Sequence, residues 1–67
     1  MPALKSTNLA AAEYDPETRT LTVDFQSGDT WEYYNVPQAV YDGLFSTSSP
    51  GGYFYRNIRN SFLGEQV

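Results

Sequence analysis

Residues 20–25, TLTVDF, alternate apolar and polar side chains without a break, with Leu21, Val23 and Phe25 on one parity and Thr20, Thr22 and Asp24 on the other. A period of two is the signature of a strand with one buried face. The next four residues, QSGD, include Gly28, which tolerates a positive φ, and TWEYYN (30–35) returns as a partner strand. Two hairpin registers satisfy this pattern, one setting Phe25 opposite Trp31 and the other Val23 opposite Trp31. Both have the same parity: Trp31 and Tyr33 join Leu21, Val23 and Phe25, while Glu32 and Tyr34 join Thr22 and Asp24. The rest of the chain must cover a face of five large side chains.

Upstream, LAAAEY (9–14) reads as a weaker strand, and DPET (15–18) is a turn by its Asp-Pro pair. Pairing along the hairpin completes a three-stranded antiparallel meander. Downstream, Pro37 followed by Val40, Tyr41, Leu44 and Phe45 predicts a short amphipathic helix over 37–45, although Gly43 is a poor helix former. The segment STSSPGG breaks the chain and restarts it, with Ser49 as N-cap and Pro50 at the first position of a second helix over 50–60. The tail GEQV is expected to fray. Strands followed by helices, without βαβ alternation, predict one α+β domain with both helices on one sheet face.

Several chemistries lose their reagents at once. The 67 residues contain no Cys and no His, which removes the thiolate nucleophile, the usual base near neutral pH and the commonest metal ligand. Asp24 and Glu32 share a face on neighbouring strands, but a small open sheet offers no deep pocket to tune them, and a solvated acidic face is the simpler reading. Neither acidic turn has the spacing of a calcium loop, and SSPGG lacks the Lys of a phosphate-binding loop. No catalytic residue, metal or cofactor is expected. The first residues carry one Lys and scattered apolar side chains, too weak for a signal peptide, and no run approaches a membrane span. The expectation is a soluble cytoplasmic protein.

Binding is the class that survives. GGYFYRNIR (51–59) puts Phe54 and Ile58 on one helical face, with Tyr55, Arg59 and Phe62 as an adjacent stripe and Arg56 beside it. Tyr and Arg are enriched among interface hot spots, and the same pairing can stack bases and contact phosphate. The plain alternative is that Phe54 and Ile58 serve the core while the arginines pair with carboxylates. A net charge of −4 with only four basic residues disfavours a nucleic-acid partner.

Over residues 6–62 the chain resembles the KTSC domain, a family named for the C terminus of some lysyl-tRNA synthetases and found also in small standalone bacterial or phage proteins. The resemblance rests on YDP at Tyr14 to Pro16, the strand ending at Phe25, the turn at Gly28, and an aromatic pair at Trp31 and Tyr33 followed by Val36-Pro37. It continues through Tyr41, Leu44, Ser49, Gly51, Phe54, Ile58 and Arg59. Trp31 stands where the family has a Tyr, and Tyr55 where it often has an Asn. The resemblance implies no known catalytic activity, and RNA binding has been suggested for the family from its association with a tRNA synthetase. The residues favour a protein-interaction module anchored by Tyr55, Arg56 and Arg59, with Tyr41 and Phe62 as further anchors and Tyr34 as a lone candidate on the far face. In a phage-type protein the partner would be a host or defence protein. The alternative is RNA binding through the same stripe with Lys5 or Arg19.

Overall fold

A computed structural model describes residues 1–67. The hairpin at its centre joins β2 (Thr20–Phe25) to β3 (Thr30–Tyr33) in the register Val23↔Trp31 and Leu21↔Tyr33, the second of the two expected. Its turn closes with the Phe25 N–H donating to the Asp29 carbonyl at 2.9 Å, and Gly28 takes φ 99°, which an L side chain rarely adopts. β1 (Leu9–Asp15) pairs antiparallel with β2 and carries an irregularity between Leu9 and Ala11. The Asp15 carboxylate accepts the Glu17 N–H at 2.9 Å in the turn between β1 and β2, as Asp does where it replaces a backbone acceptor.

The helices are α1 (Gln38–Ser46), which Pro37 precedes in an extended conformation, and α2 (Pro50–Asn57), which has Pro50 in its first turn. Ser49 occupies the N-cap position of α2, but its side chain makes no capping hydrogen bond. α2 ends short of the expected residue 60, because Asn57, Asn60 and Ser61 favour turns over helix interior. The chain then doubles back through turns in which the Ser61 and Phe62 N–H groups donate to the Ile58 carbonyl. The tail does not fray. Gly64–Gln66 form β4, antiparallel to β3 with Tyr33↔Gly64, Glu32↔Glu65 and Trp31↔Gln66. The α+β meander expected from sequence therefore gains a fourth strand, in the order β1-β2-β3-β4.

Two glycines mark where the layers meet. A Cβ on Gly64 would lie 2.5 Å from Cε1 of Tyr33, so only glycine lets that ring lie across β4. A Cβ on Gly43 would lie 2.1 Å from the Tyr53 hydroxyl, which donates to the Val40 carbonyl at 2.9 Å and ties α2 to α1. The residue that weakens α1 as a helix is what lets α2 cross it.

Leu9, Leu21, Val23, Val36, Leu44 and Ile58 are fully buried between sheet and helices. Each stabilises the fold by about 1.5–3 kcal/mol relative to exposure. Phe54 packs edge-on against Phe25 and Tyr33, with ring centroids 5.5 Å apart in both pairs. At the other end of the core Tyr14 stacks on Tyr41 at 5.3 Å and donates its hydroxyl to the Val36 carbonyl. Of the five side chains on the hairpin's inner face, Leu21, Val23 and Tyr33 are buried, but Phe25 and Trp31 are only half-covered. The helical layer runs out before the hairpin does.

Candidate functional site

Where cover runs out, the fold leaves an open cleft of about 570 Å³. Phe25 and Trp31 wall it at the hairpin end, and Trp31 stacks on Tyr33 at 6.3 Å with the rings 20° apart. Phe54 lines the cleft from α2, and Tyr55 and Arg59 form its outer lip. Thr7 and Asn8 close one side, in a segment tied to the hairpin by the Gln26 amide, which donates to the Ser6 carbonyl at 3.3 Å.

The lip is a cation stacked on a ring. Tyr55 is 59% exposed, and the Arg59 guanidinium carbon sits 4.7 Å from its ring centroid. A guanidinium held over an aromatic face loses less freedom on binding and keeps its donors for a partner. Tyr33 and Arg59 line the same cleft; burial raises the Tyr33 phenol above its ordinary pKa, and the Arg59 charge partly offsets that. At the opposite end Asp29 lines the cleft and accepts the Gln66 side-chain amide at 3.2 Å. The cleft thus has an apolar middle, a cationic end and an anionic end.

Of the residues singled out in the sequence, Tyr55 and Arg59 meet at this lip. Arg56 is exposed on α2 outside the cleft, lying so close to Gly52 that a Cβ there would be 2.9 Å from its Nη1. Phe62 is half-buried against the core. Tyr41 stands apart, stacked on Tyr14 with Phe45 edge-on at 5.2 Å, and burial followed by the charges of Asp42 and Glu13 raises its pKa. Tyr34 lies beyond the end of β3, and its hydroxyl donates to Glu65 at 3.1 Å and lies 3.3 Å from Glu32. Desolvation, then the hydrogen bonds and charges of these two carboxylates, pushes its pKa up to about 12.

Phe25, Trp31 and Tyr33 line the cleft although their parity reads as core. No sequence signal marks them as exposed: their period-two pattern is that of a core face, and only the packing of the helices leaves Phe25 and Trp31 half-covered.

The outer sheet face has the opposite chemistry. Glu13, Thr22, Glu32 and Glu65 line up across all four strands. Asp24 faces Thr30 rather than Glu32 and accepts its hydroxyl at 2.7 Å. No three acidic side chains converge as a metal-binding group, and no helix is long and apolar enough to cross a membrane.

Fold and cleft together define a small α+β domain, a four-stranded meander with two helices on one face and an exposed aromatic groove between hairpin and second helix. Residues 5–62 match the KTSC domain, and the chain belongs to that family. It is 41% identical over 59 residues to a lysine–tRNA ligase of Nostoc sp., a match covering 88% of this chain but 10% of the ligase. A protein of Tsukamurella paurometabola is 38% identical over 62 residues, covering 92% of both chains. The crystal structure of a KTSC domain protein from Yersinia pestis superimposes with a TM-score of 0.94 at 27% identity, covering 98% of this chain and 93% of the other.

Proposed function

We propose that this KTSC domain is a non-catalytic binding module that receives a segment of a partner protein in the aromatic cleft. One observation carries the reading: Trp31, Tyr33, Phe54 and Tyr55 line a single groove of about 570 Å³ with Arg59 stacked at its lip. Trp, Tyr and Arg are the residues in which binding energy concentrates at protein interfaces, and a half-covered Trp has apolar surface left to bury. The absence of Cys and His, with Glu13, Glu32 and Glu65 on the outer face away from the cleft, supports a role without chemistry.

A second reading, RNA binding, is favoured by the Tyr55–Arg59 stack and by kinship with lysine–tRNA ligases. The net charge of −4 and the row of carboxylates across the sheet weigh against it.

Trp31 is the only tryptophan and lines the cleft, so its fluorescence reports occupancy directly. The test pans a displayed random-peptide library against wild type and Tyr55→Ala, and titrates tRNA at low and physiological salt. Peptides that shift Trp31 emission in wild type and are lost in Tyr55→Ala are expected. Salt-dependent tRNA binding abolished by Arg56→Ala with Arg59→Ala, and no such peptides, would transfer the assignment to RNA.

A further inference from the structure

The two edges of the sheet are finished differently. Along β1, the Leu4 N–H donates to the Ala10 carbonyl at 2.9 Å and the Ala12 N–H donates to the Pro2 carbonyl at 3.1 Å, so residues 2–4 cover part of that edge. Covering an edge is how sheets avoid pairing with other chains. Nothing covers β4. The Tyr34 N–H donates to the Leu63 carbonyl and the Val67 N–H to the Thr30 carbonyl, both at 2.9 Å, so the odd-numbered residues of this segment bond to β3. By alternation Gly64 and Gln66 direct their backbone N–H and C=O groups to the open side, where no strand follows in the sheet.

This open edge borders the cleft. Gly64 lines it, and the face on which its absent side chain would stand is the face of Tyr33 and Trp31. A residue added opposite Gly64 would therefore point its side chain toward the Tyr33 end of the groove. β4 also runs along the charge gradient, from Gly64, beside Tyr33 and the Arg59 end, to Gln66, whose amide holds Asp29.

We propose that the free edge of β4 and the aromatic cleft form one strand-addition site for an extended protein segment, antiparallel to β4, with an apolar side chain opposite Gly64 and a carboxylate toward Arg59. The inference rests on the cleft being a protein-binding site and specifies how that site is filled. Antiparallel entry brings the N-terminal side of the segment to Asp29 and its C-terminal side to Arg59, so the charges at the two ends select both composition and direction. Main-chain bonds to Gly64 and Gln66 supply sequence-independent affinity, and the cleft supplies selectivity.

The probe is the synthetic peptide acetyl-Lys-Thr-Val-Thr-Phe-Thr-Glu-Thr-amide, whose Lys, Val, Phe and Glu share one face. Binding is followed by Trp31 fluorescence. N-methylation of the Phe removes an N–H that faces β4 and is expected to weaken binding about tenfold or more, the effect of one lost hydrogen bond plus a steric block. N-methylation of the following Thr, whose N–H faces away, should change it by less than about threefold. Gln66→Pro blocks the same edge from the protein side without removing a backbone bond to β3, and should weaken binding well beyond Gln66→Ala, which loses the same side-chain bond to Asp29. Replacing the peptide Glu by Gln, or Arg59→Gln, should each weaken binding several-fold, with no further loss when combined. An unbound probe, equal effects of the two methylations, or binding to a folded Gln66→Pro as tight as to Gln66→Ala would each overturn strand addition. Those results leave the cleft reading to the library selection, whose peptides need not be extended, so the two failures are distinguishable.

Discussion

The two faces of the sheet come from the same four strands and share almost no chemistry. On the inner face Tyr33 is buried under Phe54 of α2 beside a half-open Trp31, and the nearest lip charge is cationic. On the outer face Glu13, Glu32 and Glu65 share a row, with Tyr34 holding the last two. Strand parity divides the strand residues, since neighbours in sequence point to opposite sides, and α2 adds Phe54 and the cationic lip to one of them. One face is built by close packing and tolerates little change in shape; the other is built of solvated charges and tolerates much.

That contrast breaks most visibly at Phe54. Its ring touches Phe25 and Tyr33 and is only 5% exposed, so Phe54→Ala should cost about 3–5 kcal/mol, enough to unfold most of a domain this small. A urea midpoint close to wild type would mean that α2 does not hold the cleft together. Next comes Gly64→Val, whose added atoms must displace the Tyr33 ring; overpacking here should cost about 1–3 kcal/mol, with a change in near-ultraviolet circular dichroism as the aromatic stack shifts.

On the outer face the effects are smaller and depend on pH. The Tyr34 phenol is raised from 10.0 to about 12 by desolvation and by the Glu65 and Glu32 carboxylates. Its folded pKa lies above its unfolded value, so its contribution is complete below pH 10 and disappears as pH rises through 12. Tyr34→Phe should therefore lose stability less steeply than wild type across that interval, and parallel curves would show that Tyr34 is not the group responsible. Smallest of all is Glu32→Gln, which removes one of two like charges facing each other across β3 and β4. It should stabilise by about 0.2–1 kcal/mol at low ionic strength, the gain fading as salt is added.

The hairpin, the meander and both helices were legible because TLTVDF has an unbroken period and Asp-Pro, Gly28 and Pro50 punctuate the chain. β4 was not. Three residues of GEQ carry no periodicity and little strand propensity, and what makes them a strand is the edge of β3 together with a glycine that the Tyr33 ring can cover. The cleft was legible in part. Tyr55 and Arg59 declare themselves by their helical spacing, whereas the exposure of Trp31 depends on how α2 packs across the sheet, which no motif specifies. The outward-facing Tyr34 could be placed by parity, but its two carboxylate neighbours depend on β4 bringing Glu65 alongside Glu32.

The central claim is that recognition belongs to the packed, cationic-lipped face and not to the acidic one. The most direct measurement is amide and indole chemical-shift mapping of the isotope-labelled protein as a library-selected peptide is added. Shifts concentrated at Trp31, Tyr55, Arg59 and Gly64, which line the cleft, are the result the proposal predicts. Shifts concentrated at Glu13, Thr22 and Glu32, with the Trp31 indole unmoved, would contradict it.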